Sequence, residues 1–164
     1  MQGCTEKLNS NLYFQEAGRV RSAFFFIFLI LGGVKMQQYS TDTIAAVATP
    51  LGSGGVAVIR ISGQNAFSCA DLFFQPVRGS LPSQMQGYTC SYGYFINQNH
   101  EILDDVVLTA FRNPHSYTGE DVVEISCHGG RFLSQKILRT ILTCPDVRLA
   151  EAGEFTKRAF LNGK

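Results

Sequence analysis

Two charged residues sit inside apolar strand patterns, and any chemistry in this chain starts from them. Arg60 interrupts Val56-Ala-Val-Ile-Arg-Ile-Ser62, and Glu124 interrupts Val122-Val-Glu-Ile-Ser-Cys127. A charge in such a run either points to solvent from the alternate face of a half-exposed strand or is held by an opposite charge or a ligand. For Arg60, alternation alone leaves the two readings even. Glu124 shares its face with Val122, so that face is not simply solvated. A carboxylate there serves either as an ion-pair member or as the acceptor of a ligand's paired N–H donors. Lys164 has no structural explanation from pattern alone.

Other polar groups point less sharply. His128 precedes Gly129-Gly130, and acid–base work there would need a nucleophile or an orienting carboxylate beside it. No Gly-x-Ser-x-Gly elbow is present, Ser126 is weak support, and a turn histidine bonded to backbone is the favoured reading. Glu120-Asp121 after Thr118-Gly119 reads as a turn that opens a strand. Glu151, Glu154, Lys157 and Arg158 have the i,i+3 and i,i+4 spacings of ordinary helix-face partners. Gly52-Ser-Gly-Gly55 invites a phosphate reading, but no Lys-Ser/Thr follows and the loop leads into a strand pattern instead of a helix. Its expected role is a tight strand-to-strand connection, with glycines that supply positive φ and admit a close approach to backbone. None of these groups alone specifies an enzyme.

The elements that must position these residues follow from periodicity. Thr43–Ala48 and Val56–Ser62 read as strands, and Ser62 as the N-cap of a helix over about Gln64–Phe74 with Phe67, Ala70 and Phe74 on one face. Gly79–Gln86 reads as linker. Tyr88–Ile96 and Ile102–Phe111 form a hairpin around the polar turn Asn97–Glu101. Val122–Cys127 is a further strand, followed by a helix over Arg131–Leu142 with Leu133, Ile137 and Ile141 inward and Cys144-Pro145 as its stop. Val147–Ala150 is a short strand, and Gly153–Phe160 begins a last helix. Strands and helices mix without a repeated βαβ beat, so the expected class is α+β with a mostly antiparallel sheet.

Composition sets the outer limits. A chain of 164 residues with 45% apolar residues is enough for one domain with a sizeable core. A net charge of +1 gives no strong overall field for nucleic acid, and Trp is absent, so base-stacking platforms are not conspicuous. Cys4, Cys69, Cys90, Cys127 and Cys144 include no C-x-x-C pair, which argues against zinc and against a disulfide framework. Reduced thiols acting as small apolar residues are the expectation.

Residues 1–35 differ in character from the rest. Asn11-Leu-Tyr-Phe-Gln15 resembles part of a viral-protease cleavage tag. Arg19 and Arg21 precede the apolar run Ala23–Leu31 and then Gly32-Gly33, the outline of a targeting peptide. The run is short against the roughly 20 apolar residues of a membrane span. Three readings compete: a targeting segment, a membrane anchor and a non-native leader. The last is favoured, with the domain taken as 36–164.

Four segments carry a family resemblance: Asp42-Thr-Ile-Ala-Ala-Val-Ala-Thr-Pro50; Gly52-Ser-Gly-Gly-Val-Ala-Val-Ile-Arg-Ile-Ser-Gly63; Ser116-Tyr-Thr-Gly-Glu-Asp-Val-Val-Glu-Ile-Ser-Cys-His-Gly-Gly130; and Ala152-Gly-Glu-Phe-Thr-Lys-Arg-Ala-Phe-Leu-Asn-Gly-Lys164. In this order they resemble the N-terminal domain of the MnmE/TrmE tRNA-modification GTPases. The resemblance implies a homodimerising domain that binds a one-carbon tetrahydrofolate, the formyl or methylene form. In that family a helical domain with an inserted GTPase domain follows, and GTP, Mg and K belong to those parts. With the flavoprotein MnmG, the full protein modifies carbon 5 of the wobble uridine in certain tRNAs, in the cytoplasm and without a membrane. The family's folate-contacting Arg, Glu and Lys fall on Arg60, Glu124 and Lys164. Glu124 suits the pterin's adjacent N–H donors, and Arg60 or Lys164 the carboxylated tail. Arg60 against the pterin carbonyl is the opposite assignment, and both stand. The family's GTPase motifs and C-terminal cysteine motif do not occur in this sequence, so the chain alone is expected neither to bind nor to hydrolyse GTP. Two further readings compete: a stand-alone aminomethyltransferase-like enzyme with His128 or Asp121 as its acid or base, and a membrane-tethered interaction module resting on Ala23–Leu31.

Overall fold

The computed structural model describes residues 42–50, 52 and 54–164. The leader reading of 1–35 and Cys4 lie outside the described residues. The seven strands are β1 (Thr43–Val47), β2 (Val56–Ser62), β3 (Phe74–Pro76), β4 (Thr89–Ile96), β5 (Ile102–Phe111), β6 (Val122–His128) and β7 (Val147–Leu149). They form one sheet in the order β3-β4-β5-β6-β2-β1-β7. Each neighbouring pair is antiparallel except β1 and β7, which run parallel. Three helices complete the described part: α1 (Ala66–Phe73), α2 (Arg131–Ile141) and α3 (Glu154–Leu161). This is the α+β class with a mostly antiparallel sheet that the pattern predicts.

Alternation decides which face is covered. Ala57, Ile59 and Ile61 of β2 and Val123, Ile125 and Cys127 of β6 belong to one buried cluster with Phe67, Ala70 and Phe73 of α1 and Ile137, Leu138 and Ile141 of α2. Fully burying one such Ile or Phe contributes about 1.5–3 kcal/mol, so α1 and α2 are committed to this face. Arg60 and Glu124, one residue out of phase, therefore point to the other.

Three local expectations are corrected. Ser62 does not cap a helix; it ends β2, fully buried, with its hydroxyl on Thr118 Oγ1 (2.7 Å) and Glu120 Oε2 (2.6 Å). Gly63 turns the chain at φ 133°, where a Cβ would lie 2.7 Å from the Thr43 backbone, so helix geometry begins only after Asn65. Phe74 leaves α1 and enters β3, whereas on α2 Ile137 and Ile141 face inward as expected, joined by Ser134 and Leu138, with Leu133 half-buried against the same core. Gly52, Gly54 and Gly55 do not use positive φ. The close approach expected of that loop is made by the chain itself. A Cβ on Gly129 would sit 1.7 Å from the Gly54 carbonyl oxygen, and Gly129 N–H donates to Gly55 O at 2.9 Å.

Candidate functional site

Strand register assembles a row of side chains on the sheet face that α1 and α2 leave open. Ala46 pairs with Arg60, Arg60 with Glu124, and Glu124 with Thr109, across β1, β2, β6 and β5. Arg60 Nε and Nη2 both reach Glu124 Oε1 at 2.7 Å, with the two side chains 22% and 24% exposed. Both contacts converge on one carboxylate oxygen, which leaves Oε2 without a partner among the described residues. The Arg60 guanidinium carbon also lies 4.8 Å from the Tyr117 ring centroid and 5.4 Å from that of Phe155. Cation–π attraction and the ion pair therefore fix one head group from three sides.

Arg60, Tyr117 and Phe155 line a cavity of about 370 Å³ whose walls also include Ala46 and Gly153; Glu124 is not part of its wall and reaches it through Arg60. The small Ala46 leaves its floor low, and the two aromatic rings give a flat apolar wall suited to a planar heterocycle. Tyr117 and Phe155 come from distant segments and are tied together by Tyr117 Oη and Thr156 Oγ1 at 2.9 Å. Tyr117 lies on the turn between β5 and β6, which Ser116 Oγ closes on Glu120 O at 2.6 Å. Phe155 lies in the first turn of α3, which starts at Glu154 directly after Gly153, whose φ of 74° is the left-handed conformation glycine adopts at no steric cost.

A charge network anchors both segments. Arg158, only 6% exposed, donates to Glu120 Oε1 (3.1 Å), Asp42 Oδ1 (2.8 Å) and Glu154 Oε1 (3.0 Å). Arg148 donates to Glu154 at 2.6 and 2.8 Å and also pairs with Asp42. Burial works against the Arg158 charge, and the three carboxylates more than offset it, raising its pKa. Hydrogen bonds from Arg148, then from the Glu151 N–H and Arg158, hold the Glu154 carboxyl at about 2, against the opposing effect of burial. Every buried side-chain nitrogen and oxygen among the described residues has a partner. The predicted i,i+4 pairing of Glu154 with Arg158 is present, inside a larger cluster that spacing did not reveal.

Of the three carried-over site residues, the fold brings two together. Lys164 lies exposed beyond the end of α3, its backbone N–H on Ala159 O at 2.9 Å, and does not line the cavity. His128 is not a backbone-bonded turn residue. It ends β6, 64% exposed, with Nδ1 2.8 Å from Asp104 Oδ1, and this carboxylate raises its pKa. Asp121 accepts from the Asn113 N–H at 2.9 Å. Neither His128 nor Asp121 lines the cavity. Cys69, Cys90, Cys127 and Cys144 are free thiols, and burial pushes Cys127 up to about 11 and Cys69 higher still. Such thiols are poor nucleophiles. Sequence reasoning missed Asp42, Tyr117, Arg148 and Phe155 as parts of the site. Arg148, between Val147 and Leu149, carries the same charge-in-a-strand signal that marks Arg60.

Comparison with known proteins gives a consistent result. Residues 43–164 match the family model described as GTP-binding protein TrmE N-terminus. A tRNA modification GTPase MnmE of Clostridioides difficile is 51% identical over 127 residues, covering 77% of this chain and 27% of that protein. Proteins of the same name from Parabacteroides distasonis (46% over 124 residues) and Moorella thermoacetica (48% over 124 residues) each cover 75% of this chain and 27% of their own length. The chain thus spans about a quarter of the curated relatives it matches.

Proposed function

The chain belongs to the family of GTP-binding protein TrmE N-termini, and on that premise we propose that residues 36–164 form the folate-binding and dimerisation domain of a tRNA-modification GTPase. The observation that carries the reading is Arg60, which lines the aromatic-walled cavity and is held from behind by Glu124. The residues present fit a pterin. Glu124 Oε2 is the unpartnered acceptor for one of the ring's adjacent N–H donors, and Oε1, shared with Arg60, is the acceptor for the other. Tyr117 and Phe155 offer the ring an apolar wall. Arg60, already held by Glu124 and two rings, is the positioning group beside the pterin. Lys164, exposed and without an ion-pair partner among the described residues, lies outside the cavity, so its pairing with the carboxylated tail would be made beyond the rim. Bound tetrahydrofolate supplies a one-carbon unit at the formyl or methylene level; the chain's own residues bind and orient it.

Self-association is supported by the same open face. Tyr92 and Val107 are cross-strand partners there, 49% and 40% exposed, a pairing of apolar surface that a second copy would cover. In the longer protein, GTP with Mg and K would act in segments beyond this one. Modification of carbon 5 of the tRNA wobble uridine would require MnmG, in the cytoplasm. Among the described residues no helix is long and apolar enough to cross a membrane. The stand-alone aminomethyltransferase reading loses its acid–base candidates, since His128 and Asp121 lie outside the cavity.

Calorimetric titration of formyl-tetrahydrofolate into the chain, with Arg60→Ala beside it, tests the reading. Saturable heat that disappears in the variant is expected. Absence of binding by the folded chain, or undiminished binding by Arg60→Ala, would overturn it.

A further inference from the structure

A second, roomier cavity lies elsewhere in the described part. A trough of about 800 Å³ runs between the β4–β5 turn and the outer side of α2, lined by Asn97, Gln98, Arg131, Phe132, Lys136 and Arg139 among others. It lies over the outer side of α2, whose inner side packs on the sheet face opposite to Arg60 and Glu124, so it is separate from the folate cavity.

Four observations define its ligand. First, α2 carries Arg131, Lys136 and Arg139 and no acidic residue, although the whole chain is nearly neutral at +1. All three are exposed, and none has an ion-pair partner among the described residues, whereas Arg60, Arg112, Arg148 and Arg158 each hold a carboxylate. Second, no carboxylate lines the trough; Glu101, at the end of the turn, is engaged by Asn97 Nδ2 at 2.7 Å. Third, Phe132 stands between the cations and is 82% exposed, the most exposed large apolar side chain among the described residues. Helical spacing of three to four residues puts Phe132, Lys136 and Arg139 on one side, and Arg131, at the start of the helix, lines the same trough. Fourth, the opposite wall is built of side-chain amides, with Gln98 Nε2 bridging to Thr143 Oγ1 at 2.8 Å across the trough.

Unpaired cations ask for a polyanion, an exposed ring among them asks for a planar π-system, and amides suit the mixed donors and acceptors of base edges. A simple anion would leave Phe132 unexplained, and an acidic peptide would leave both the ring and the amides unused. We infer that the α2 trough is a contact site for a single-stranded segment of RNA, with Arg131, Lys136 and Arg139 on phosphates and a base stacked on Phe132. This deepens the tRNA-modification reading and rests on it: the trough is where this domain touches the nucleic acid, on the side away from the folate.

Three phosphate contacts predict a modest, salt-sensitive affinity. With about 0.7 counterions released per phosphate on a single strand, log K falls with log salt at a slope of about −2. The experiment is fluorescence anisotropy of a labelled uridine-rich RNA 12-mer with the chain at low salt. The variants are Phe132→Ala, Lys136→Gln/Arg139→Gln, and the exposed control Arg78→Glu, with circular dichroism and formyl-tetrahydrofolate calorimetry on each. Phe132→Ala should weaken binding by about tenfold or more, as loss of one base stack requires. The double variant should weaken it and flatten the salt slope by about 1.4, and Arg78→Glu should leave both unchanged. RNA that does not bind, that binds the α2 variants as well as the native chain, or that polyglutamate displaces at equal charge concentration overturns the proposal. If folate still binds in any of those cases, the function proposed above stands and only the trough assignment falls.

Discussion

Glu154→Gln is the substitution that reads the charge network most directly. The Glu154 carboxyl is held at about 2 against an ordinary 4.5, and at 1.36 kcal/mol per pKa unit the ionised form is stabilised by about 3 kcal/mol in the folded state. Its side chain is 9% exposed, so solvent screening removes little of this. The sign follows from the depressed folded-state value. The stabilisation is fully present above pH 4.5 and is lost as pH falls from there towards about 2. The variant is therefore expected to be less stable than the native chain by about 3 kcal/mol at pH 7, or about 12 °C in Tm for a domain of this size. The deficit should shrink through that window to a few tenths of a kcal/mol near pH 2, where about half of the native carboxyl is protonated. Urea unfolding of both proteins at half-unit pH steps measures the difference directly. A deficit below about 1 kcal/mol at pH 7 would mean the cluster behaves as solvated surface pairs. A deficit that does not change with pH would mean packing, not charge, is what the substitution removes. Either result refutes the argument.

Other substitutions probe separate parts of the fold. Gly129→Ala forces a Cβ to within 1.7 Å of the Gly54 carbonyl and should destabilise by about 1–3 kcal/mol; Gly52→Ala, with nothing within 4 Å and no positive φ, should be neutral in the same thermal melt. Glu124→Gln turns one acceptor into a donor facing a donor and should weaken formyl-tetrahydrofolate in calorimetry by about tenfold, in line with the loss of one charge-assisted hydrogen bond; unchanged affinity removes Glu124 from the pterin site. The His128 imidazole should titrate above 6.5 by NMR, because Asp104 favours its charged form, and Asp104→Asn should bring the midpoint back down.

The sheet was legible because its strands alternate cleanly: Ile59, Ile61, Val123 and Ile125 mark the buried face, and Arg60 and Glu124 stand out against it. That the two charges meet was not legible, since it depends on the β2–β6 register across 64 positions of chain, which no local pattern encodes. Ser62 misled for a related reason. Serine before a helical pattern is a usual cap, but here Thr118 and Glu120, brought from afar, claim its hydroxyl. The buried cluster around Arg158 stayed hidden because only its i,i+4 member, Glu154, is local; Asp42 lies 116 residues away. On α2 the helix was evident from spacing, but a near-neutral total charge concealed that its three cations have no ion-pair partner among the described residues.

The Asp42–Arg158 contact also sets an order of events. One wall of the cavity, Phe155, and the cation that fastens the start of the domain, Arg158, both lie in α3, while Arg158's partner Asp42 directly precedes β1. Contacts so distant in sequence form late, after the intervening loop entropy has been overcome. On a chain emerging from the ribosome, the sheet can assemble through β6 while the cavity still lacks its far wall. The cavity is thus complete only once α3 has docked, so a ligand that bound there, as proposed, would report on whether the domain has finished folding.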